Sequence, residues 1–408
     1  MRIVFYNHTG LVSGAEKMLL LSIANLPRDV AEVILVCPEE GSLQSEAIAL
    51  GIPTYTCRPI LARFTYNPVL LIVYLWSIVR ALYEVRNTFI SLSPDILQAN
   101  TVRAGIVASL ATMGTRMRII WHSHDILPAH ALTTLVRLLA HSSRRIQVVA
   151  CSKAAAYSLR PFTSKGVSVN VIHNGIEAAK FRGKPDVRKA KREEIGLRLA
   201  SFAVGIVGQV TRRKGQLGLI RAFADLQSAI PEAVLLIIGA PIFHKDHEYL
   251  AVLEQEVAAL QLGEKVRFLG QRPDIPALMQ ALDLIVLNSD VEPFALVLIE
   301  AMMTGKPVIA TDCGGPPEII HHGVDGEIVA VGDHSALVST MIRLARNPGL
   351  RERYGKAAIC CVELKFSSEQ YISKWCDQYR RIITSAHPTS GSTEVASENL
   401  EMQAGVRK

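Results

Sequence analysis

The sequence predicts an α/β protein made of two parallel-sheet domains that face one another across a cleft. Three observations carry this expectation. Short continuous runs of β-branched and apolar residues alternate with helical patterns, as strands buried on both faces do. The alternation occurs twice, with a charged interval at 180–198 between the two sets. Finally, 408 residues are too many for one ordinary core and comfortable for two, a domain being roughly 100–200 residues.

The first half opens on a strand at 3–7, followed by a loop and a helix at about 15–26. Further strand patterns lie at 33–37, 96–99, 118–122 and 147–151. The second half carries strand patterns at 202–207, 234–238, 266–269, 284–287 and 308–311, each followed by a loop and a helical segment. The boundary is placed near 176–188, giving domains at 1–176 and 177–385, with a last helix at about 366–385 that packs back on the first domain. Residues 386–408 are rich in Ser, Thr and Glu and are expected to be a disordered tail. Ligands of parallel sheets sit beyond the carboxyl ends of the strands, so two facing sheets would hold a ligand in the cleft.

Bulk properties narrow the function classes. The formal net charge of +7 favours anionic partners such as nucleotide phosphates, acidic glycans or a membrane surface. No zinc-finger spacing, RNA-binding aromatic signature or concentrated basic stripe points to nucleic acid. The seven cysteines show neither metal-ligand nor framework spacing, which suggests a reducing compartment. The N-terminus runs straight into a strand pattern without the apolar core and cleavage site of a signal peptide, so a cytoplasmic protein is expected.

One segment differs from the rest. Residues 69–79 carry no charge, lie between Arg63 and Arg80, and contain Tyr74 and Trp76. Eleven such residues are too few to span a bilayer, which needs about 20. Two readings stay open: an interfacial helix with aromatic and Arg anchors that contacts an anionic membrane through 63–86, and a buried helix of the first domain.

The chemistry concentrates at 292–318. Glu292 and Glu300 are separated by seven residues. With a helix over 294–304, Glu292 lies in the preceding loop and Glu300 about two turns on, so the carboxylate and the free N–H groups of the helix start face one cleft. Those N–H groups suit phosphate, and a carboxylate beside them accepts hydrogen bonds from hydroxyls. Gly305 is a natural helix terminator, Gly314 and Gly315 allow close approach of the backbone to a ligand, and Pro316 or Pro317 can start a short helix.

The stretch EPFALVLIEAMMTGKPVIATDCGGPPEII resembles the donor-site signature of glycosyltransferase family 4, the large retaining family with the GT-B fold of two Rossmann-like domains. VGQVTRRKG at 207–215 resembles its diphosphate-holding loop, with Gln209 where the family has arginine, Lys214 on the family lysine, and Arg212 as a substitute charge. SGAEK at 13–17 is similar to the family's glycine-rich loop, with Ser13 in place of the first glycine and Gly14 retained. IHNGIE at 172–177 resembles the segment leaving the first domain.

The resemblance implies an acceptor-binding first domain and a donor-binding second domain. Lys214, Arg212 and the backbone at Gly14 would share the diphosphate charge. Glu300 would bind the ribose hydroxyls and Glu292 those of the transferred sugar, with Phe294, Ala295 and Leu296 lining the donor at the helix start. Gln271 and Arg272 would touch the base through backbone atoms. His124, with His122 as the alternate, would lie near the sugar at the end of a first-domain strand, and Asn100 would line the same cleft. The histidine pair with Asp125 also has metal-ligand residue types, but nothing nearby in sequence completes a ligand set. No Asp-x-Asp donor motif occurs in the cleft segments, so no metal or other cofactor is expected. The implied reaction is transfer of a sugar from a nucleotide-diphosphate sugar to a glycan or lipid-linked acceptor hydroxyl, with configuration retained. A sugar-nucleotide epimerase and a binding subunit without turnover are the alternatives.

Overall fold

The computed structural model describes residues 1–59, 68–161, 169–184, 186–242 and 244–384; the expected tail and Arg63 lie outside these. The first sheet contains β1 (Arg2–Tyr6), β2 (Glu32–Cys37), β3 (Thr54–Thr56), β4 (Ile96–Ala99), β5 (Arg118–Ser123), β6 (Ile146–Ala150) and β7 (Asn170–Val171) in the order β3-β2-β1-β4-β5-β6-β7. The second contains β8 (Phe202–Val207), β9 (Ala233–Ile238), β10 (Val266–Gly270), β11 (Leu284–Leu287), β12 (Val308–Thr311) and β13 (Glu327–Val329) in the order β10-β9-β8-β11-β12-β13. Adjacent strands pair in parallel in both sheets. Every residue of β4, β8, β9, β11 and β12 is buried, which is why β8, β9 and β11 read as unbroken apolar runs rather than alternating ones.

Each sheet is covered on both faces. On one face of the first sheet lie helices Pro68–Leu92, Val102–Ala111 and Ala131–Ala140. Helix Gly14–Asn25 and the last helix, Ser368–Thr384, lie on the other. That last helix belongs by sequence to the second half, yet it inserts Tyr371, Trp375 and Tyr379 among Ile3, Phe5 and Ile120. Tyr379 donates to Gln98 at 2.6 Å and Gln378 to Gln147 at 2.9 Å, so both hydrogen bonds cross between the halves.

Two details change the sequence picture. The charged interval is not simply a solvated connection. It holds helix Val187–Glu194, whose Arg192 is fully buried. The Arg192 guanidinium pairs with Asp283 at 2.6 Å and donates to carbonyls of Ala281, Arg198, Leu199 and Ser201, so the buried charge is compensated. The uncharged 69–79 segment is the start of a 25-residue helix, Pro68–Leu92. Its described side chains there, Val69, Ile72, Val73, Trp76 and Val79, are exposed, and the first buried one among the described residues is Ala81. The side chain of Tyr74 lies outside the described residues.

Trp375 has no exposed surface and stacks on Tyr379 at 5.4 Å. Trp375→Ala is expected to destabilise the protein by about 3–5 kcal/mol, read as a lower urea midpoint. A loss below about 1 kcal/mol would show that the last helix is not part of the first core.

Candidate active site

Three loops leave the carboxyl ends of β8, β11 and β12, which are neighbours in the sheet. Their convergence is therefore dictated by strand order. After β8 the chain makes a single 3-10 turn, Arg212–Lys214, closed by Gly215 at φ +68°. A side chain at Gly215 would place its Cβ 1.8 Å from the Asn288 carbonyl oxygen of the β11 loop, so only glycine fits. Asn288 Nδ2 donates to the Gly215 carbonyl at 2.9 Å and ties the two loops together.

This tie brings Lys214 Nζ to 2.5 Å from Glu292 Oε1. Ser289 Oγ donates to the same oxygen at 2.9 Å, and Arg213 Nη1 lies 3.4 Å from it while donating to the Val291 carbonyl at 2.7 Å. Glu292 is only 5% exposed, and an unpaired carboxylate there would cost several kcal/mol. All three donors converge on Oε1, and no described residue donates to Oε2.

Helix Leu296–Met303 starts two residues later than the sequence suggests. Ala295 adopts φ 76°, a left-handed conformation costing roughly 1–2 kcal/mol for a non-glycine residue. Phe294 holds the turn: it is buried, stacked on His173 at 5.8 Å and edge-on to Phe366 at 5.9 Å. Leu296 then points at the first domain, where its Cδ1 lies 3.8 Å from the Cβ position of Gly14. Gly14 begins helix Gly14–Asn25, so two helix N-termini approach the same gap, and both dipoles favour an anion there. Ser13 has its own task, since its backbone N–H and hydroxyl both donate to buried Glu16, at 3.0 and 2.5 Å. Asn100 donates to the Ala15 carbonyl at 3.1 Å, and its buried Oδ1 has no partner.

Glu300 lies half-buried on the same helix. Desolvation raises its carboxyl above the usual range, and the positive charge of Lys17 across the gap opposes that rise. His122 is the next-to-last residue of β5 and is buried, and His124 follows just beyond the strand; their rings lie 3.9 Å apart. His122 also meets Trp375 edge-on at 4.8 Å. Burial lowers both histidines, His124 to about 3, so both are neutral, and each has an unpartnered Nε2. Glu318 closes the cleft on one side. It accepts from Lys153 N at 2.8 Å, Ala154 N at 2.9 Å and His173 Nε2 at 2.9 Å, bridging the second domain to the first.

Some expected residues play other parts. The exposed Arg212 guanidinium lies over the Tyr249 ring at 5.3 Å, and it is Arg213 that reaches Glu292. Gln209 donates to Asp246 at 2.6 Å. Gln271 and Arg272 follow edge strand β10, and the Arg272 side chain is held by Asp274 at 2.8 Å and Glu194 at 2.9 Å, leaving backbone atoms for any ligand. Among the described residues, one group, His321, Asp325 and Cys361, brings metal-ligand types within 4.8 Å. Asp325 takes the backbone N–H and ring Nδ1 of His321, each at 2.7 Å, and the Lys365 ammonium lies 3.0 Å from Nε2. With burial pushing the Cys361 thiol up to about 12, the group reads as a hydrogen-bonded turn.

Two facing Rossmann-like domains with this cleft form the architecture of GT-B glycosyltransferases. The profile of Glycosyltransferase Family 4 matches residues 12–180 and that of Glycosyl transferases group 1 matches 187–359. The chain is 31% identical over 237 residues to the lipopolysaccharide core biosynthesis mannosyltransferase LpsB of Rhizobium meliloti, covering 54% of this chain and 67% of that protein. It is 28% identical over 295 residues to the N-acetyl-alpha-D-glucosaminyl L-malate synthase of Bacillus anthracis, covering 71% and 75%. It is 23% identical over 350 residues to an Escherichia coli galactosyltransferase acting on GlcNAc-diphosphoundecaprenol, covering 82% and 85%. HepE of Anabaena, solved in complex with UDP, superposes with a TM-score of 0.79 at 25% identity, over 93% of this chain and 100% of that one. It has also been solved with UDP-glucose. The chain belongs to the group 1, family 4 glycosyltransferases.

The two histidines have a pH consequence. Their folded values lie below the ordinary 6.5, so between about 3 and 6.5 the unfolded chain binds more protons than the folded one. Stability is therefore expected to fall as pH drops through that window, by about 1.4 kcal/mol per pH unit for each fully titrating histidine. Urea denaturation at several pH values measures the slope. His124→Gln should make it clearly shallower, and an unchanged slope would contradict the assignment.

Proposed function

We propose that this glycosyltransferase moves a hexosyl group from a nucleoside-diphosphate sugar to a hydroxyl of a glycan or lipid-linked acceptor, with retention and without a metal. The observation that carries the reading is Glu292: its Oε1 is saturated by Lys214 and Ser289, while no described residue donates to Oε2. The likeness to HepE, solved with UDP-glucose, supports a UDP-sugar as the first donor to test. The relation to a transferase acting on a diphosphoundecaprenol-linked sugar supports a lipid-linked acceptor. Peripheral contact with the inner face of a membrane through 63–86 belongs to the same reading, with Arg63 outside the described residues. Among the described residues no helix is long and apolar enough to cross a membrane.

Departure of the diphosphate places negative charge between the Gly14 and Leu296 helix starts, where Lys214 supplies a cation. Glu292 Oε2 accepts from a hydroxyl of the transferred sugar, and Glu300 from the ribose. Neutral His122 and His124 offer ring nitrogens to the sugar without adding charge. The departing phosphate oxygen takes the acceptor proton, so no strong side-chain base is required.

Nucleoside diphosphate should be released only when donor and acceptor are both present, and NMR of the product should show the donor's anomeric configuration. Isomerised donor would indicate an epimerase, and binding without turnover a non-catalytic subunit. Glu300→Ala and Lys214→Ala should each lower kcat/KM by about 10²-fold or more while the circular dichroism spectrum is kept. Full activity in both would overturn the site.

A further inference from the structure

The geometry points to a second anion site, at the amino edge of the second sheet, that takes a free phosphate-type oxyanion. It does not depend on the donor reading, since the donor loops leave the carboxyl ends of β8, β11 and β12. The residues that open the same three strands lie at the opposite edge: Phe202 begins β8, Asp283 precedes β11, and Lys306 stands two residues before β12. Two helices close over this edge. Helix Val187–Glu194 brings Arg188 and Arg192, one turn apart on one face, and both pair with Asp283, at 2.7 and 2.6 Å. Helix Pro348–Lys365 brings Arg351, whose guanidinium lies 5.3 Å from the centre of the Phe202 ring. Gly355, one turn further on and on the same face, lets that helix come close. A Cβ there would sit 2.1 Å from the Gly305 carbonyl oxygen, so the helix rests on the backbone directly before Lys306.

Four cations, Arg188, Arg192, Lys306 and Arg351, therefore gather at Asp283. That carboxylate is fully used: Oδ1 accepts from Arg188, and Oδ2 from Arg192 and the Ala203 N–H. It offsets one charge of the four. Lys306 has no hydrogen-bond or ion-pair partner among the described residues. Burial first, and its arginine neighbours next, push the Lys306 ammonium down to about 8. Arg351 spends Nη1 on the carbonyls of Leu344 and Ala345, at 2.5 and 2.8 Å, and its Nη2 has no hydrogen-bond acceptor among the described residues. Desolvated cations without a counter-charge are unfavourable, and an anion that joins them relieves both the desolvation and the mutual repulsion.

Burial sets the size of the occupant. Lys306 and Arg351 are half-buried and the Arg188 side chain is 34% exposed, so a small ion reaches them from solvent. A bilayer or a nucleic-acid backbone would need side chains that project. The open ammonium of Lys306 beside a guanidinium edge offers several donors to one centre, which matches the clustered oxygens of phosphate better than a single carboxylate.

The test is thermal melting of the full chain at neutral pH in inorganic phosphate against sodium chloride of equal ionic strength. Phosphate at about ten times its Kd should raise Tm by about 2–4 °C. Lys306→Met keeps the aliphatic stem and removes the charge. It should abolish that rise yet melt at or above the wild type in chloride, because repulsion among the cations is reduced; a purely structural lysine would melt lower. Lys214→Ala, which removes the cation of the donor loop, should respond to phosphate as the wild type does. In the wild type itself, phosphate should protect Lys306 from reductive methylation, read by mass spectrometry, a result that does not require the Met variant to fold. No rise in the wild type, an equal rise in Lys306→Met, unchanged labelling of Lys306, or a rise lost in Lys214→Ala would each overturn the proposal; the last assigns phosphate to the donor loop.

Discussion

The site depends on keeping the Glu292 carboxylate buried and charged in a place where only one of its oxygens is satisfied. Lys214 makes this affordable, and Lys214 is there because Gly215 alone tolerates the close approach of the Asn288 carbonyl. That contact exists because β8 and β11 are neighbours, so their loops leave the sheet side by side. Strand order, one glycine and one ion pair thus form a single causal chain. Its product is a buried carboxylate with one oxygen, Oε2, that no described residue satisfies.

The second requirement is that the halves stay together. A cleft whose walls come from separate domains is normally free to open, since interdomain surfaces resemble transient interfaces. Here the chain returns through Ser368–Thr384 and buries Trp375 in the first core, fixing one edge. Glu318 fixes another by accepting two backbone N–H groups at the start of helix Lys153–Ser158. His173 supports both features, donating to Glu318 and stacking on Phe294, so the residue that clamps the domains also props the strained turn at Ala295.

Much of this was legible in the sequence where burial is two-sided. Strands β8 and β11 fall where their apolar runs predict because nothing polar interrupts them. The short edge strands β3, β7 and β13 were not legible; two or three residues with mixed burial carry no pattern. In the RRK turn the spacing identified a basic loop but not which arginine turns inward, since a 3-10 turn separates adjacent side chains by a third of a circle. Arg192 was unreadable as a core residue because three of its hydrogen bonds go to backbone carbonyls at 198–201, which carry no side-chain signal, and two go to Ala281 and Asp283, far along the chain. The 69–79 segment was ambiguous because a buried stripe and an exposed apolar stripe have the same composition; its described side chains are exposed.

The central claim is that Glu292 reads the sugar and not the diphosphate. Calorimetric titration of wild type and Glu292→Ala with UDP-glucose and with UDP tests it most directly. The account predicts that UDP affinity changes by less than about threefold, while UDP-glucose binding weakens by roughly 10–100-fold, the worth of a hydrogen bond to a charged group. Equal weakening of both ligands would contradict it, placing Glu292 in the support of the loop alone.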